Sequence, residues 1–453
     1  MVFSSLTFIY FFLPILLFVY FIIPNKFKSI VLVLFSLVFY FYGEGKYILV
    51  LLLSSIINYY LSKKITNNKR LLVISIILNL IPLLYFKYTM FFIDIVNDIF
   101  NTKIFIQNIV LPIGISFFTF QNISYLVDSY KDKNEVAKNL LEYILYITFF
   151  AQLVAGPIVR FSEIKSDINN RKLNIDNLYI GIKRFIIGLA KKVILANNIG
   201  ILINYLNNLN GSILLYWLLA LSYTFQIYFD FSGYSDMAIG LGRMFNFKFL
   251  ENFNYPLSAS SITDFWRKWH ISLSRFFKDY VYIPLGGNRV SKMKHIRNIL
   301  IVWLLTGFWH GASFNFIFWG LYFGILLIIE KYFLTNFLDK HKIFSHIYTF
   351  ILIIISFVIF SISDINSLVV FIKSMFGLNN LPFVNFNTIY YLKSYLVLII
   401  ICFVASLPIV KILKFKSNKI INFIEPVIYF SLLFISTAYL VDSTFNPFLY
   451  FRF

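Results

Sequence analysis

Two histidines lie in apolar, tryptophan-rich surroundings in the middle of the sequence. His310 stands in LLTGFWHGASF between a tryptophan and a glycine, and His270 stands in DFWRKWHISLS. An imidazole removed from water is disfavoured in its charged form, so we expect neutral rings that can accept a proton. Two such rings in one cavity would suit acyl transfer, with one imidazole as the base and the other orienting or polarising a reacting group.

The alternative for each ring is a hydrogen-bonded core histidine without a function. Gly311 and Ala312 favour a functional His310, because small residues leave space for a ligand or another backbone, and Trp309 adds an indole N–H that needs an acceptor. No metal site or tightly bound cofactor is expected, since no third ligand stands at a matching spacing. The remaining histidines are expected to be solvated and inert in polar loops: His295, His341 and His346.

The composition places these histidines in a membrane protein. Of the 453 residues, 59% are hydrophobic and 13% are charged, and the mean hydropathy is +0.78, whereas soluble domains contain ~25% charged residues. Apolar runs recur along the chain near the length that crosses a bilayer as a helix. We therefore expect an all-α polytopic membrane protein with about 11 transmembrane helices plus re-entrant or interfacial helices.

The charge distribution predicts the orientation in the membrane. Lys and Arg number 40 against 20 Asp and Glu, which gives a formal net charge of +20. The cations concentrate in short loops, above all residues 62–70 and 288–297, which is typical of cytoplasmic loops and of contact with anionic lipid rather than nucleic acid. Counting helices back from these loops predicts an extracytoplasmic N-terminus in the cell membrane.

The chain is expected to form one integral-membrane domain, residues 1–453, because its polar gaps are short and contain no linker. Residues 110–325 form the motif-bearing core, and residues 340–453 are expected to be plain transmembrane helices. Aromatic residues at steps of three and four predict one amphipathic helix over residues 261–280, with His270 at the margin of its apolar stripe. Pro284 ends this helix, and LGGN forms a turn after it.

Six stretches from residue 1 to about residue 325 match one known family in order. They are MVFSS, FFTFQNISYLVDSY, FFAQLVAGPIVRF, YFDFSGYSDMAIGLG, ENFNYPLSASSITDFWRKWHISLSRFFKDYVYIPLGGNR and LLTGFWHGASFNFIFWG. The chain resembles the membrane-bound O-acyltransferase (MBOAT) family, and within it the bacterial alginate O-acetyltransferase type. The resemblance implies a ring of transmembrane helices around a central funnel that reaches a buried histidine.

The resemblance also implies the reaction. The family moves an acyl group from a cytoplasmic thioester, acetyl-CoA or an acyl-carrier thioester, to a hydroxyl, commonly on an exported polysaccharide. The catalytic histidine of its WHG motif is here His310, and a second characteristic polar position is here His270. As a hypothesis, His310 takes the proton of the attacking hydroxyl. His270, with the indole N–H of Trp269 or Trp309, then donates to the oxyanion.

Further candidates would bind the donor or line the cavity. Cations at the cytoplasmic entrance could attract the phosphates of acetyl-CoA or an acidic carrier protein, although contact with lipid headgroups explains them equally well. For Asp236 a structural role is favoured. The candidate binding residues are Trp266, Trp269, Trp309, Arg267, Asn288, Arg289, Gln226, Asp230, Tyr234 and Asp236.

Two alternatives to acetyl transfer stay open. The nearer one is D-alanyl transfer from a carrier protein to teichoic acid, although PLGGNR, MVFSS and SGYSDMAIG favour the acetyl branch. The more distant one is a non-enzymatic polysaccharide or lipid transporter, which the lack of an internal repeat disfavours. Because the chain has no soluble domain to hold a polysaccharide, we expect an extracytoplasmic SGNH-type acyltransferase as its partner.

Overall fold

The part of the chain described by its computed structural model is mostly helical. The described residues are 1–107, 109–154, 156–169, 174–209, 211–409 and 419–442, and no β-strand occurs among them. The all-α prediction is confirmed. The physical reason is the solvent, since a backbone in hydrocarbon has no water to bond to and satisfies its polar groups within each helix.

The described residues form α-helices of very different lengths. In chain order they are α1 (Leu13–Ile22), α2 (Lys28–Glu44), α3 (Ile48–Ile65), α4 (Lys69–Phe100), α5 (Ile115–Lys131), α6 (Leu140–Thr148), α7 (Phe150–Leu153), α8 (Phe161–Asn169), α9 (Ile175–Ala190), α10 (Asn197–Leu206), α11 (Ile213–Met244), α12 (Ile262–Lys268), α13 (Ile271–Phe277), α14 (Lys292–His310), α15 (Phe314–Ile329), α16 (Thr335–Lys340), α17 (Lys342–Ser361), α18 (Ile365–Met375), α19 (Phe386–Ser394), α20 (Leu396–Ala405) and α21 (Lys419–Asp442).

Fewer helices than expected are long and apolar enough to cross a bilayer. Within the described ranges there are seven, or eight if α19 and α20, bent by 58°, form one broken span. The expected number of about eleven is therefore not confirmed. The helix α6 has only nine residues, which is about 14 Å against a hydrocarbon core of ~30 Å. The helix α14, which begins with Lys292, Lys294 and Arg297, is also not among the seven.

The backbone divides into two compact units. The first comprises residues 1–185 and 235–251, and its core is rich in phenylalanine. Between α3 and α4, Asn58 and Asn79 exchange two amide hydrogen bonds of 2.9 and 2.7 Å. This exchange satisfies both amides away from water. The single domain and the central funnel stay predictions.

The second unit comprises residues 186–234 and the described part of 252–453. Its α14 and α15 form an antiparallel hairpin that is held together through glycines. A Cβ atom on Gly307 would lie 2.3 Å from the Phe316 carbonyl oxygen, and one on Gly320 would lie 2.3 Å from the Trp303 carbonyl oxygen. Only glycine permits this approach, in which one helix backbone lies directly against the other.

The single amphipathic helix predicted over residues 261–280 is wrong. The chain breaks between α12 and α13, where His270 takes a left-handed conformation with φ of 42°. A neighbouring extended segment causes the break, because Asn254 N–H donates to the Lys268 carbonyl at 2.9 Å and Ile271 N–H donates to the Asn252 carbonyl at 3.0 Å. These bonds replace the helical hydrogen bonds that a continuous helix would make.

The glycine contact predicts that Gly320→Ala lowers stability. The added methyl group must push α15 away from α14, at a cost of about 1–3 kcal/mol, and we expect a lower Tm of the purified protein in detergent. Ile325→Ala is the matched control, since Ile325 is exposed on the same helix and its loss removes no backbone contact. Equal Tm values for Gly320→Ala and the wild type would contradict the packing described here.

Candidate active site

His310 lies at the end of α14 in an aromatic pocket. Its side chain is only 3% exposed. Its ring packs edge to face against Trp319, Trp309 and Phe360, with centroids 4.8, 5.0 and 5.4 Å apart. Aromatic rings on several sides exclude water from the imidazole. The surroundings are therefore those of a neutral base.

The glycine after His310 serves packing rather than ligand access. A Cβ atom on Gly311 would lie 2.2 Å from Phe316 Cε2, so the Phe316 ring occupies the space beside this glycine. The expectation that Gly311 leaves room for a ligand is wrong. Phe316 in turn contacts Phe360, with centroids 5.0 Å apart, and this contact closes the pocket next to His310.

His270 is held by one buried asparagine. The side chains of His270 and Asn252 are both fully buried. Asn252 Oδ1 accepts from the backbone N–H of Ser272 at 3.1 Å and from the Ser272 hydroxyl at 2.9 Å. The same oxygen lies 3.3 Å from His270 Nδ1. Asn252 therefore positions the imidazole and also provides an acceptor for a backbone N–H in the first turn of α13.

This arrangement determines the tautomer of His270. Complete burial lowers the pKa of His270 to about 3, so the ring is neutral near pH 7 and carries one N–H. Because Asn252 Oδ1 accepts from a backbone N–H, it is an acceptor toward Nδ1 as well. Nδ1 then carries the proton and Nε2 is an acceptor. The geometry thus argues against the expected role of His270 as an oxyanion donor and supports an orienting role.

The two histidines share Trp309. The centroid of the Trp309 ring lies 5.9 Å from that of His270 and 5.0 Å from that of His310. On its other side, His270 packs edge to face against Phe231 of α11, with centroids 4.8 Å apart. The structure therefore brings the two motif histidines onto one tryptophan, although forty residues separate them in sequence.

A second group of tryptophans leads away from His310. Trp319 contacts Trp266, with centroids 5.6 Å apart, and Trp266 contacts Trp303 at 4.5 Å. Trp266 lines a cavity of about 140 Å³ together with Ser274 and Thr306. Trp266, Trp303 and Trp319 thus connect this cavity to the pocket of His310.

A second cavity continues from the first. Its volume is about 240 Å³, and it shares Tyr282, Val302 and Trp303 with the smaller cavity. Its polar lining consists of Thr263, Tyr282, Asn288, His295 and Lys331. The two cavities together run along α14 from polar groups near its start to Thr306, four residues before His310.

His295 belongs to this lining, and the expectation that it is solvated is wrong. It is buried, with Nε2 2.9 Å from the hydroxyl of Tyr282 and Nδ1 2.7 Å from that of Tyr332. The helical period contains a signal that could have found it. The cavity-lining residues of α14 fall at helical steps of three, four and seven and share one face: His295, Ile299, Val302, Trp303 and Thr306.

Four other residues predicted from the sequence are buried in this unit. Trp269 packs into an aromatic core, with its ring stacked on Phe265 at 5.5 Å and 5.0 Å from Phe253 between centroids. Asp230 is buried and pairs with Lys192, whose Nζ lies 2.6 Å from Asp230 Oδ1. Two further candidates are buried on α11: Gln226 and Tyr234.

The remaining candidates lie at the surface or in the first unit. Arg267, Asn288 and Arg289 are exposed. Asp236 belongs to the first unit, where Arg184 bonds it through Nε at 2.8 Å and Nη2 at 2.6 Å. The geometry gives Asp236 an ion-pair partner within its own unit.

One positioning residue was missed by the sequence analysis. Glu330, buried directly after α15, accepts from the backbone N–H groups of Ile262 and Thr263 at 2.6 and 3.0 Å. It thereby caps α12, the helix that carries Trp266. An ionisable residue within the apolar run LLIIEKYF was the available signal. In the described ranges, no three His, Cys, Asp or Glu side chains lie close enough to hold a metal ion.

Comparison with known proteins agrees with this architecture. The pattern of the membrane-bound O-acyltransferase family, MBOAT, matches residues 108–372. The chain is 40% identical over 376 residues to a probable alginate O-acetylase AlgI of Pseudomonas aeruginosa, covering 80% of this chain and 72% of the relative. It is 40% identical over 423 residues to the peptidoglycan O-acetyltransferase of Helicobacter pylori, covering 84% and 80%.

A more distant similarity covers half of the chain. Identity to the teichoic acid D-alanyltransferase of Bacillus subtilis is 30% over 240 residues, which is 50% of this chain and 60% of the relative. The chain therefore belongs to the MBOAT family. It is a multi-pass membrane O-acetyltransferase of that family, which confirms the resemblance and the prediction of an enzyme.

The hydrogen bonds of Asn252 predict that Asn252→Ala impairs the reaction beyond its effect on folding. The change leaves Ser272 and His270 without their acceptor, at a cost of about 1–3 kcal/mol, and releases the imidazole. We expect a large fall in acetyl transfer per folded molecule. Asn79→Ala, which removes a buried, bonded asparagine of the first unit, is the control. An equal fall in both variants would show that only stability is affected.

Proposed function

We propose that this protein transfers an acetyl group from a cytoplasmic thioester across the membrane for O-acetylation of an exported cell-surface polysaccharide. The observation that carries the proposal is His310, buried among aromatic rings, one of which, Trp319, contacts Trp266 in the wall of the smaller cavity. Its neutral imidazole takes the proton of the attacking hydroxyl. His270 orients the site through Trp309.

The cavities along α14 support a donor that enters from the cytoplasmic side. The larger cavity offers cationic and hydrogen-bonding groups, Lys331 and His295 among them. These suit the phosphates at the head of acetyl-CoA or an acyl-carrier thioester. The smaller cavity is mostly apolar and ends at Trp266. It suits the flexible thiol arm that both donors share.

The positive loops support the orientation. Residues 62–70 and 288–297 concentrate the cations and are assigned to the cytoplasm, so the N-terminus is extracytoplasmic in the plasma or inner membrane. The donor entrance lies at the second of these loops, since Asn288 and His295 line the larger cavity. Donor entry and the basic loop then belong to the same side of the membrane.

The similarities support a polysaccharide acceptor. Two relatives at 40% identity are named for O-acetylation of alginate and of peptidoglycan. The acceptor proposed here is of this class, a polymer with hydroxyl groups outside the membrane. An extracytoplasmic SGNH-type acyltransferase would complete the transfer to it. D-alanyl transfer is the other outcome, and the lower identity over half of the chain disfavours it.

The proposed base predicts the effect of His310→Ala. Without the imidazole, the ester-linked acetate of the surface polysaccharide should fall, with the transfer rate lower by about 10²–10⁴-fold. His270→Ala should also reduce transfer, because the groups that His270 orients, such as Trp309, lose their position. Acetate and D-alanine are released by mild base and quantified at matched membrane levels, with the exposed His341→Ala as the control. A fall in D-alanine instead of acetate would show that the acyl group is D-alanyl and would leave His310 as the base. Unchanged esters would show that His310 is not the catalytic base.

The donor path predicts a separate effect at its entrance. Lys331→Met removes a cation from the larger cavity and should raise the KM for acetyl-CoA about threefold to tenfold with kcat unchanged, because the charge acts on binding alone. Lys340→Met is the matched control, an exposed lysine further along the same stretch. If both variants keep the wild-type KM, the donor does not enter through this cavity.

A further inference from the structure

Trp319 holds a buried hydrogen-bond donor beside the proposed base. Its side chain is almost completely buried, and its ring packs edge to face against His310, with centroids 4.8 Å apart. Among the described residues, the indole Nε1 has no hydrogen-bond acceptor. A buried N–H without an acceptor is costly and needs an explanation.

Aromatic rings pack around Trp319 on several sides. Phe323 and Phe360 lie 5.1 and 5.4 Å away between centroids, and Trp266 lies 5.6 Å away. One helical turn earlier on α15, Asn315 directs its amide N–H groups to the carbonyls of residues 359 and 360, and its Oδ1 is not bonded to Trp319. A ligand that reaches His310 therefore comes beside a ring whose N–H has no acceptor among the described residues.

We propose that the Trp319 indole N–H is the donor that binds the acyl carbonyl oxygen during transfer. This inference rests on the proposed function, because it requires an acyl thioester beside His310. With the two ring centroids 4.8 Å apart, a carbonyl held against the imidazole would also lie beside the indole. The bond strengthens as negative charge develops on the oxygen, so the donor favours the transition state over the ground state.

The step balances as follows. The acceptor hydroxyl oxygen bonds to the thioester carbonyl carbon while its proton passes to His310. The π electrons of the carbonyl move to its oxygen, and this oxyanion accepts from Trp319 Nε1–H. When the carbonyl re-forms, the C–S bond breaks, and the leaving thiolate takes the proton from the imidazolium. The products are the ester and the free thiol.

Three of the other donors near the site fit this role less well. His270 directs its one N–H to Asn252, and Trp269 is stacked on Phe265 within the core. The Nε1 of Trp266 is also buried without an acceptor in the described chain. However, Trp266 lies one ring further from His310 and lines the smaller cavity, which suits an amide carbonyl of the donor arm.

The test removes the N–H and keeps the aromatic ring. Trp319→Phe, in membrane vesicles that hold the full chain and its native acceptor, should lower kcat about 10²–10³-fold. The KM for acetyl-CoA should stay near the wild-type value, because the ground-state carbonyl is bound only weakly. The readout is the thiol released from acetyl-CoA. Trp217→Phe is the control, since it removes an indole N–H that donates to the Met375 carbonyl elsewhere in the unit.

A second variant covers the case in which Trp319→Phe does not fold. Benzothienylalanine at position 319 replaces the N–H with sulfur and preserves the shape of the indole, and it should show the same fall in kcat. Wild-type kcat in either folded variant would overturn the inference, as would an equal fall in Trp217→Phe. These results leave the proposed function intact. A wild-type chain that releases no thiol and esterifies no acceptor with acetate would instead refute the proposed function itself.

Discussion

The contact of Gly307 with Gly320 determines what can lie around His310. Because a side chain on either glycine would collide with a backbone carbonyl of the facing helix, α14 and α15 approach until their backbones meet. Small residues are the usual means of such approach in membranes, where lipid removes the hydrophobic drive between helices. The consequence is local: Trp319, one residue before the second glycine, lies against His310, three residues after the first.

Polar side chains then fix the segment that carries His270. Asn252 accepts from a backbone N–H at the start of α13, and Glu330 accepts from one at the start of α12. Each anchor comes from another part of the chain, and each replaces bonds that water would supply to the end of an exposed helix. The break between the two helices is therefore stable without solvent, and it places His270 between Phe231 and Trp309.

Hydrophobic periodicity and the motifs predicted the helical class and both histidines, because these depend on local sequence and on composition. What the sequence did not predict depends on partners distant in the chain. The break at His270 requires Asn252, eighteen residues away, and the burial of His295 requires Tyr332, thirty-seven residues away. The role of Gly311 depends on where the ring of Phe316 lies. Tertiary contacts override local pattern at such positions.

On α14, the polar lining of the larger cavity lies far from the proposed base. His295 lines the larger cavity, and His310 lies fifteen residues later on α14, which is about 22 Å. Near His310 the aromatic walls favour a neutral ground state, and in the proposed reaction opposite charges arise there only as the imidazolium and the oxyanion form together. In a medium of low dielectric these two charges attract strongly, whereas a permanent phosphate charge would be excluded. The proposed reaction therefore suits a donor whose charged head and acyl group are joined by a long flexible arm.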